Sequence, residues 1–122
     1  MPKVMVVDDE PDIIESVKTI LEAEGYDVTC ANGGEECLKK LEKEKVDLVL
    51  MDFFMPGMDG RMVIEKIREN PGSGDVKVAF LTAVTFRKRG MEIIEELNIS
   101  DYIIKPIEMN DFTSRIKKII ER

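Results

Sequence analysis

Five short apolar segments alternate with five amphipathic segments along this chain, and the alternation constrains the fold more than any other feature. Three of the apolar segments are nearly unbroken runs, as expected for strands that are covered on both faces. The amphipathic segments carry apolar residues at the three- and four-residue spacing of helices that bury one face. The pattern predicts strands at residues 3–7, 27–31, 47–51, 77–81 and 102–105.

Repeated strand–helix units predict an α/β fold, in which a doubly wound, five-stranded parallel sheet carries five helices on its two faces. In such folds the ligand site lies at the carboxyl ends of the strands, where the strand order reverses. Pro11 suits the first turn of a helix, and Gly25 and Asn98 suit positions just beyond helix C-termini. We expect one domain, residues 1–122, with a core of its own.

Composition argues against several classes of function. The formal net charge is −7 and the pI is about 4.7, so nucleic acid and anionic membranes are unfavourable partners. The chain has no histidine, which removes the usual zinc sites and every histidine-based triad. Cys30 and Cys37 form no C-x-x-C pair and are expected to be reduced. Without a signal peptide or a bilayer-spanning stretch, the sequence predicts a cytoplasmic protein.

Polar residues stand at the ends of four predicted strands: Asp8, Asp9 and Glu10 after the first, Asp52 after the third, Thr82 after the fourth, and Lys105, followed by Pro106, at the end of the fifth. If the first and third strands are neighbours, three carboxylates meet in one crevice and repel one another. A cation must offset that repulsion. Mg²⁺ suits the position because it prefers carboxylate and carbonyl oxygens and keeps waters that a phosphate oxygen can replace.

Each of these residues has a simpler explanation when it is considered alone. The acidic run from Asp8 can be a helix N-cap and an acidic first turn, and Asp52 can open a turn. Thr82 can be a strand-end hydroxyl bonded to backbone, and Lys105 can be a solvated surface lysine. Their joint occurrence at four strand ends is what these explanations leave unexplained.

The segments "VVDDEP", "LVLMDFFMPGMDG", "FLTA" and "DYIIKP", in this order and spacing, resemble the receiver domain of response regulators in two-component signal transduction. The resemblance covers essentially all 122 residues and implies a flavodoxin-like sheet of strand order 2-1-3-4-5. It implies a stand-alone regulator, similar to chemotaxis regulators, that accepts a phosphoryl group on Asp52 from a sensor histidine kinase or a phosphotransfer protein. Such a protein is a stoichiometric phosphoacceptor that catalyses its own phosphorylation and dephosphorylation, and not an enzyme with a separate substrate.

The resemblance also implies a role for each residue at the metal site. Asp8, Asp9 and Asp52, with the backbone carbonyl of Phe54, would hold Mg²⁺. Lys105 would pair with the phosphoryl group that Asp52 accepts.

Further residues are implied to transmit the signal. The Thr82 hydroxyl would bind the phosphoryl group, and Thr82 and Tyr102 would form the switch. The Lys105–Pro106 peptide bond would be cis, which proline makes accessible. The fourth helix, fifth strand and fifth helix would form the face that binds a downstream protein.

Other functions on a similar fold are a flavodoxin-like electron carrier, a phosphohydrolase with an aspartate nucleophile, and a receiver that has lost its chemistry and acts as an adaptor. The acidic segment after the first strand would repel a phosphate cofactor, and a phosphohydrolase of that kind places its nucleophile after the first strand. The complete acidic set with Thr82 and Lys105 argues against the adaptor. The stretch from Thr82 to Lys105 is one residue longer than the family pattern, which leaves open the register of the fourth helix.

Overall fold

A computed structural model describes residues 1–53, 55–57, 60–83, 92 and 94–121 of the chain. Its sheet contains five parallel strands in the order β2-β1-β3-β4-β5. The strands are β1 (Lys3–Val7), β2 (Asp27–Ala31), β3 (Leu48–Met51), β4 (Lys77–Thr82) and β5 (Asp101–Ile104). The predicted doubly wound sheet and its strand order are confirmed.

Four strand boundaries, in three of the strands, differ from the predicted ones by a single residue. β3 begins at Leu48 because Asp47, although its N–H bonds to the Lys3 carbonyl, lies outside the ladder. β4 includes Thr82, which was predicted to follow the strand. β5 begins at Asp101 and ends at Ile104, one residue earlier than predicted at each end. Lys105 therefore stands just beyond the strand and continues the ladder through one backbone hydrogen bond to Thr82. The site residues therefore remain at the strand ends.

Four helices have both ends within the described residues: α1 (Pro11–Ala23), α2 (Gly34–Lys43), α3 (Gly60–Glu69) and the C-terminal helix (Met109–Glu121). Between β4 and β5, Glu92 and residues 94–96 are helical. The rest of the predicted fourth helix, with its open register, lies outside the described residues. No helix in the described ranges has both the length and the apolar composition of a membrane span.

The helices cover both faces of the sheet and enclose two hydrophobic clusters. One cluster joins α2, α3 and residues such as Met5 and Val49, and the other joins α1, the C-terminal helix and residues such as Val4 and Leu48. Successive strand residues point to opposite faces, so the four residues of the central strand β3 enter the two clusters alternately. This explains the unbroken apolar runs, because all four residues of β3 are at most 1% exposed.

Two helical segments end with the left-handed residue that the sequence predicts. After α1, Gly25 has φ of 92°, its N–H donates to the Glu22 carbonyl, and the Tyr26 N–H donates to the Leu21 carbonyl. Before β5, Asn98 has φ of 54° and takes the equivalent position. These bonds satisfy carbonyls at the helix ends and turn the chain sharply into the next strand.

Candidate functional site

The sheet register brings the polar strand ends to one edge. Val7 lies opposite Met51, and the next residue, Asp52, donates its N–H to the Val7 carbonyl at 3.1 Å. The Asp8 N–H donates to the Ala31 carbonyl at 3.2 Å. Backbone hydrogen bonds therefore fix both aspartates one residue beyond the strands. This placement of the backbone brings the carboxylate groups of both aspartates to the same edge of the sheet.

Four carboxylates meet at this edge. Asp8, Asp9, Glu10 and Asp52 each offer an oxygen, and these oxygens all lie within 4.8 Å of one another. Asp8 is 1% exposed and Asp52 is 8% exposed, while Asp9 and Glu10 are exposed. A donor set made only of carboxylate oxygens suits a hard cation such as Mg²⁺. Glu10 lies close enough to the three aspartates to bind a cation or its waters at this position. Phe54, whose carbonyl was predicted as a further ligand, lies outside the described residues.

Lys105 supplies a positive charge between the two buried aspartates. Its Nζ lies 2.8 Å from Asp8 Oδ2 and 3.3 Å from Asp52 Oδ2, and its side chain is 12% exposed. Burial alone would lower the pKa of this ammonium group. The hydrogen bond and charge of Asp8, with the charge of Asp52, outweigh burial and raise the pKa above its ordinary value of 10.5. The interpretation of Lys105 as a solvated surface lysine is therefore wrong.

The simple capping interpretation of the acidic run also finds little support. The residue before α1 is Glu10, and its side chain makes no capping hydrogen bond. Asp8 Oδ1 accepts the Glu10 N–H at 3.0 Å, which orients Asp8 Oδ2 toward Lys105. Pro11 begins α1 without an N–H of its own, so the helix start needs one donor fewer to be satisfied.

Thr82 and Tyr102 lie on the same face of the sheet. Phe80 pairs with Tyr102 and Thr82 pairs with Ile104, and residues two apart on a strand share a face. Thr82 is fully buried, and its carbonyl accepts the Lys105 N–H at 2.9 Å. Tyr102 is partly buried and packs against the cluster under α2 and α3. The Lys105–Pro106 peptide bond is cis.

Gly60 is a site-shaping residue whose role the sequence did not reveal. Its N–H donates to the Phe53 carbonyl at 2.6 Å. A Cβ at this position would lie 2.9 Å from Phe53 Cα and 3.2 Å from the Asp52 carbonyl oxygen. Only glycine therefore lets α3 begin directly against the backbone that holds Asp52. In the sequence, the only signal for this position is the Asp-Gly pair that ends the segment "LVLMDFFMPGMDG", and such a pair by itself indicates a turn.

Comparisons with known proteins agree with this geometry. A family model described as the response regulator receiver domain matches residues 4–117. The alkaline phosphatase synthesis transcriptional regulatory protein PhoP of Bacillus subtilis is 36% identical over 123 residues, which cover 98% of this chain and 49% of that protein. The chain thus spans about half the length of the curated relatives it matches.

Two solved structures are similar over almost their full lengths. The chemotaxis protein CheY4 of Vibrio cholerae superposes with a TM-score of 0.91 at 25% identity, over 98% of each chain. The response regulator TrrA of Thermotoga maritima, whose structure is a complex with Mg(2+)-BeF, gives a TM-score of 0.83 at 34% identity, over 98% of this chain and 99% of that one. By family model, sequence and fold alike, the chain belongs to the response-regulator receiver family of two-component signal transduction.

Proposed function

We propose that this receiver accepts a phosphoryl group on Asp52, in a Mg²⁺-dependent reaction, from a sensor histidine kinase or a phosphotransfer protein. One observation carries the proposal: a nearly buried Asp52 carboxylate lies among three other carboxylates and 3.3 Å from the Lys105 ammonium group. A nucleophile, a cation site and a fixed positive charge are the parts that phosphoryl transfer to a carboxylate needs.

The residues divide the chemistry between them. Asp8, Asp9 and Asp52 would hold Mg²⁺, which supplies positive charge to the phosphoryl oxygens when it is bound. A carboxylate oxygen of Asp52 attacks phosphorus while the bond from phosphorus to the donor nitrogen breaks, and the product is an acyl phosphate. The Lys105 ammonium can pair with a phosphoryl oxygen, and the Thr82 hydroxyl can donate a hydrogen bond to another.

Phosphorylation would act on the distant surface through Thr82 and Tyr102. Movement of the Thr82 hydroxyl toward the phosphoryl group leaves room on the same face of the sheet for Tyr102 to turn inward. We propose that a downstream protein binds the face formed by the predicted fourth helix, β5 and the C-terminal helix. Ile104 at 43% exposure and Met109 at 60% offer apolar contacts there.

A second candidate is the receiver part of a longer transcriptional regulator. It is favoured by the relatives named as transcriptional regulators, of which this chain covers about half. The charge of −7 opposes direct nucleic-acid binding by the receiver itself, so DNA contacts would belong to another part of such a protein. Stand-alone action and cytoplasmic location stay predictions, and the mass of the protein in its native cell tests the first.

Intact-mass spectrometry after incubation with acetyl phosphate tests the phosphoacceptor. The native protein should gain the mass of one phosphoryl group with Mg²⁺ and none with a chelator. Without the cation, nothing offsets the repulsion between the carboxylates and the phosphoryl oxygens. Asp52→Asn should gain nothing, while Asp47→Asn, which changes an aspartate before β3, should behave like the native protein. Phosphorylation of Asp52→Asn at the native rate would rule the assignment out.

A further inference from the structure

The guanidinium group of Arg68, in the last turn of α3, contacts four backbone carbonyl oxygens of two other segments. Nε donates to the Leu97 carbonyl at 3.1 Å and Nη2 donates to the Asn98 carbonyl at 3.2 Å. Nη1 donates to the Gly74 carbonyl at 2.9 Å and to the Val76 carbonyl. One side chain thus joins the turn after α3 to the segment before β5.

Each of the two segments leads directly into a strand of the sheet. Val76 is the last residue before β4. Leu97 and Asn98 end the helical segment before β5, where the Ile99 N–H closes the turn on the Ile94 carbonyl at 2.9 Å. The last carbonyls of a helix have no partners within it, and Arg68 supplies donors to two of them.

The opposite ends of these two strands form one half of the functional site. β4 ends at Thr82, β5 leads to Lys105, and the Lys105 N–H bonds to the Thr82 carbonyl. The other half, with Asp8 and Asp52, stands on β1 and β3. Among the described residues, Arg68 makes no hydrogen bond to either of those strands.

We propose that Arg68 is a positioning residue for the phosphoryl-binding half of the site. By holding the amino ends of β4 and β5 together, it fixes where their carboxyl ends present Thr82 and Lys105. The hydrogen-bonded ladder between the two strands is the physical connection. The proposal rests on the proposed function, since it assumes that Thr82 and Lys105 bind phosphoryl oxygens.

The side-chain chemistry explains why this position suits arginine. A planar guanidinium presents five donors in a fixed fork, so it can reach carbonyls on both segments at once. A lysine ammonium at the same place is a single point with three donors. Arg68→Lys should therefore keep part of the contact, and Arg68→Gln, which has two donors, should keep less.

The test measures two affinities of the full chain separately. Mg²⁺ alone reports on the half with Asp8 and Asp52, and beryllofluoride at saturating Mg²⁺ reports on the phosphoryl-binding half as well. In Arg68→Gln, beryllofluoride binding should weaken by about fivefold or more, the scale of a modest coupling between distant sites. Mg²⁺ affinity should stay within about twofold of native, and Arg68→Lys should fall between native and Arg68→Gln.

Arg61→Gln is a matched control. Arg61 also lies on α3 and also reaches the segment before β5, but through a side-chain contact of 3.2 Å with Glu96 that is exposed to solvent. Exposed ion pairs of this kind contribute little, so both affinities should be native. Hydrogen exchange of the Ile99 and Ser100 amides should quicken in the Arg68 variants and not in this control.

Unchanged beryllofluoride affinity in both Arg68 variants would overturn the proposal. An equal loss of Mg²⁺ affinity would also overturn it, because the effect would then be general and not confined to β4 and β5. If Arg68→Gln does not fold, the Mg²⁺ and beryllofluoride affinities are compared between Arg68→Lys and the native protein instead. A native protein that binds Mg²⁺ but no beryllofluoride would contradict the proposed function itself, and so would remove the basis of this inference as well.

Discussion

At the scale of single residues, the site depends on a balance between like charges and one lysine. Lys105 lies closer to Asp8 than to Asp52, although Asp52 is the proposed nucleophile. An ammonium in this position offsets part of the carboxylate repulsion before any cation binds. The arrangement leaves the exposed carboxylates of Asp9 and Glu10 open toward solvent, where an ion would enter.

The raised pKa of Lys105 makes stability depend on pH in a definite direction. A group whose pKa is higher in the folded state contributes stability below its unfolded pKa, and that contribution is lost as pH rises through the folded pKa. In a chelator, the stability of the native protein relative to Lys105→Met should hold steady up to about pH 10.5 and decrease above it. Denaturant titrations at several pH values measure this difference.

Lys117→Met is the control for that measurement, because Lys117 is exposed in the C-terminal helix. Because an exposed lysine side chain contributes little to folding, the free energy of unfolding of this variant should stay close to that of the native protein. A Lys105→Met curve parallel to the native one above pH 10.5 would show that the ammonium contributes nothing to folding.

The close contact of Gly60 predicts a second residue-scale effect. Gly60→Ala places a methyl group 2.9 Å from Phe53 Cα, so backbone beside Asp52 must move. We expect the free energy of unfolding of the variant to fall by about 1–3 kcal/mol, the usual effect of overpacking. We also expect the variant to accept a phosphoryl group more slowly than the native protein. Gly33→Ala, where a Cβ meets nothing within 4 Å, should lose less and phosphorylate normally. Native stability and rate in Gly60→Ala would contradict this interpretation.

At the scale of elements, the ends of the helices matter as much as their apolar faces. The left-handed residue after α1 turns the chain into β2, the strand that pairs with β1. The same device before β5 uses Asn98, a residue type that tolerates this conformation without being glycine. Local backbone chemistry thus sets where two of the five strands begin.

Gly25→Ala should destabilise the protein by about 1 kcal/mol, because alanine is strained at a φ of 92°. A steric clash with neighbouring residues is not the cause of this destabilisation, since a Cβ at Gly25 meets nothing within 4 Å. Gly72→Ala is the matched control, as its φ is outside the left-handed region and its Cβ would make only an ordinary contact. That control should be neutral or slightly stabilising. Equal thermal denaturation of the two variants would refute the backbone explanation.

At the scale of the whole molecule, the two hydrophobic clusters hold a sheet whose carboxyl edge gathers negative charge. The chain carries 25 acidic and 18 basic residues, and four of its carboxylates stand at this one edge. We therefore expect the stability of the whole fold to depend on cation binding at this edge. A ligand that binds only the folded state raises the free energy of unfolding by mass action.

Mg²⁺ at one hundred times its Kd should add about 2.7 kcal/mol to the free energy of unfolding. Asp9→Asn should abolish most of this gain, because it removes a proposed ligand. In a chelator the same variant should melt at a higher temperature than the native protein, since it relieves repulsion within the cluster. Thermal melts of both proteins with and without Mg²⁺ measure these effects. If the melting temperature of the native protein did not change with Mg²⁺, the proposed metal site would be excluded.

The strand positions, to within one residue, and the gathering of Asp8, Asp52, Thr82 and Lys105 at one edge follow from the sequence. Apolar periodicity and turn residues are local properties, and parallel βα units bring all strand ends to the same side. The strand order came from family resemblance, because periodicity does not say which strands are neighbours.

Only the tertiary structure decided the contacts between segments far apart in the chain. Lys105 meets Asp8 across 97 positions, and Arg68 meets Leu97 across 29. The need for glycine at position 60 arises from the close approach of α3 to the backbone of Phe53. Such contacts depend on how the sheet aligns its strands and on where each helix returns. Side-chain spacing along a single segment carries no information about the segment that will lie against it.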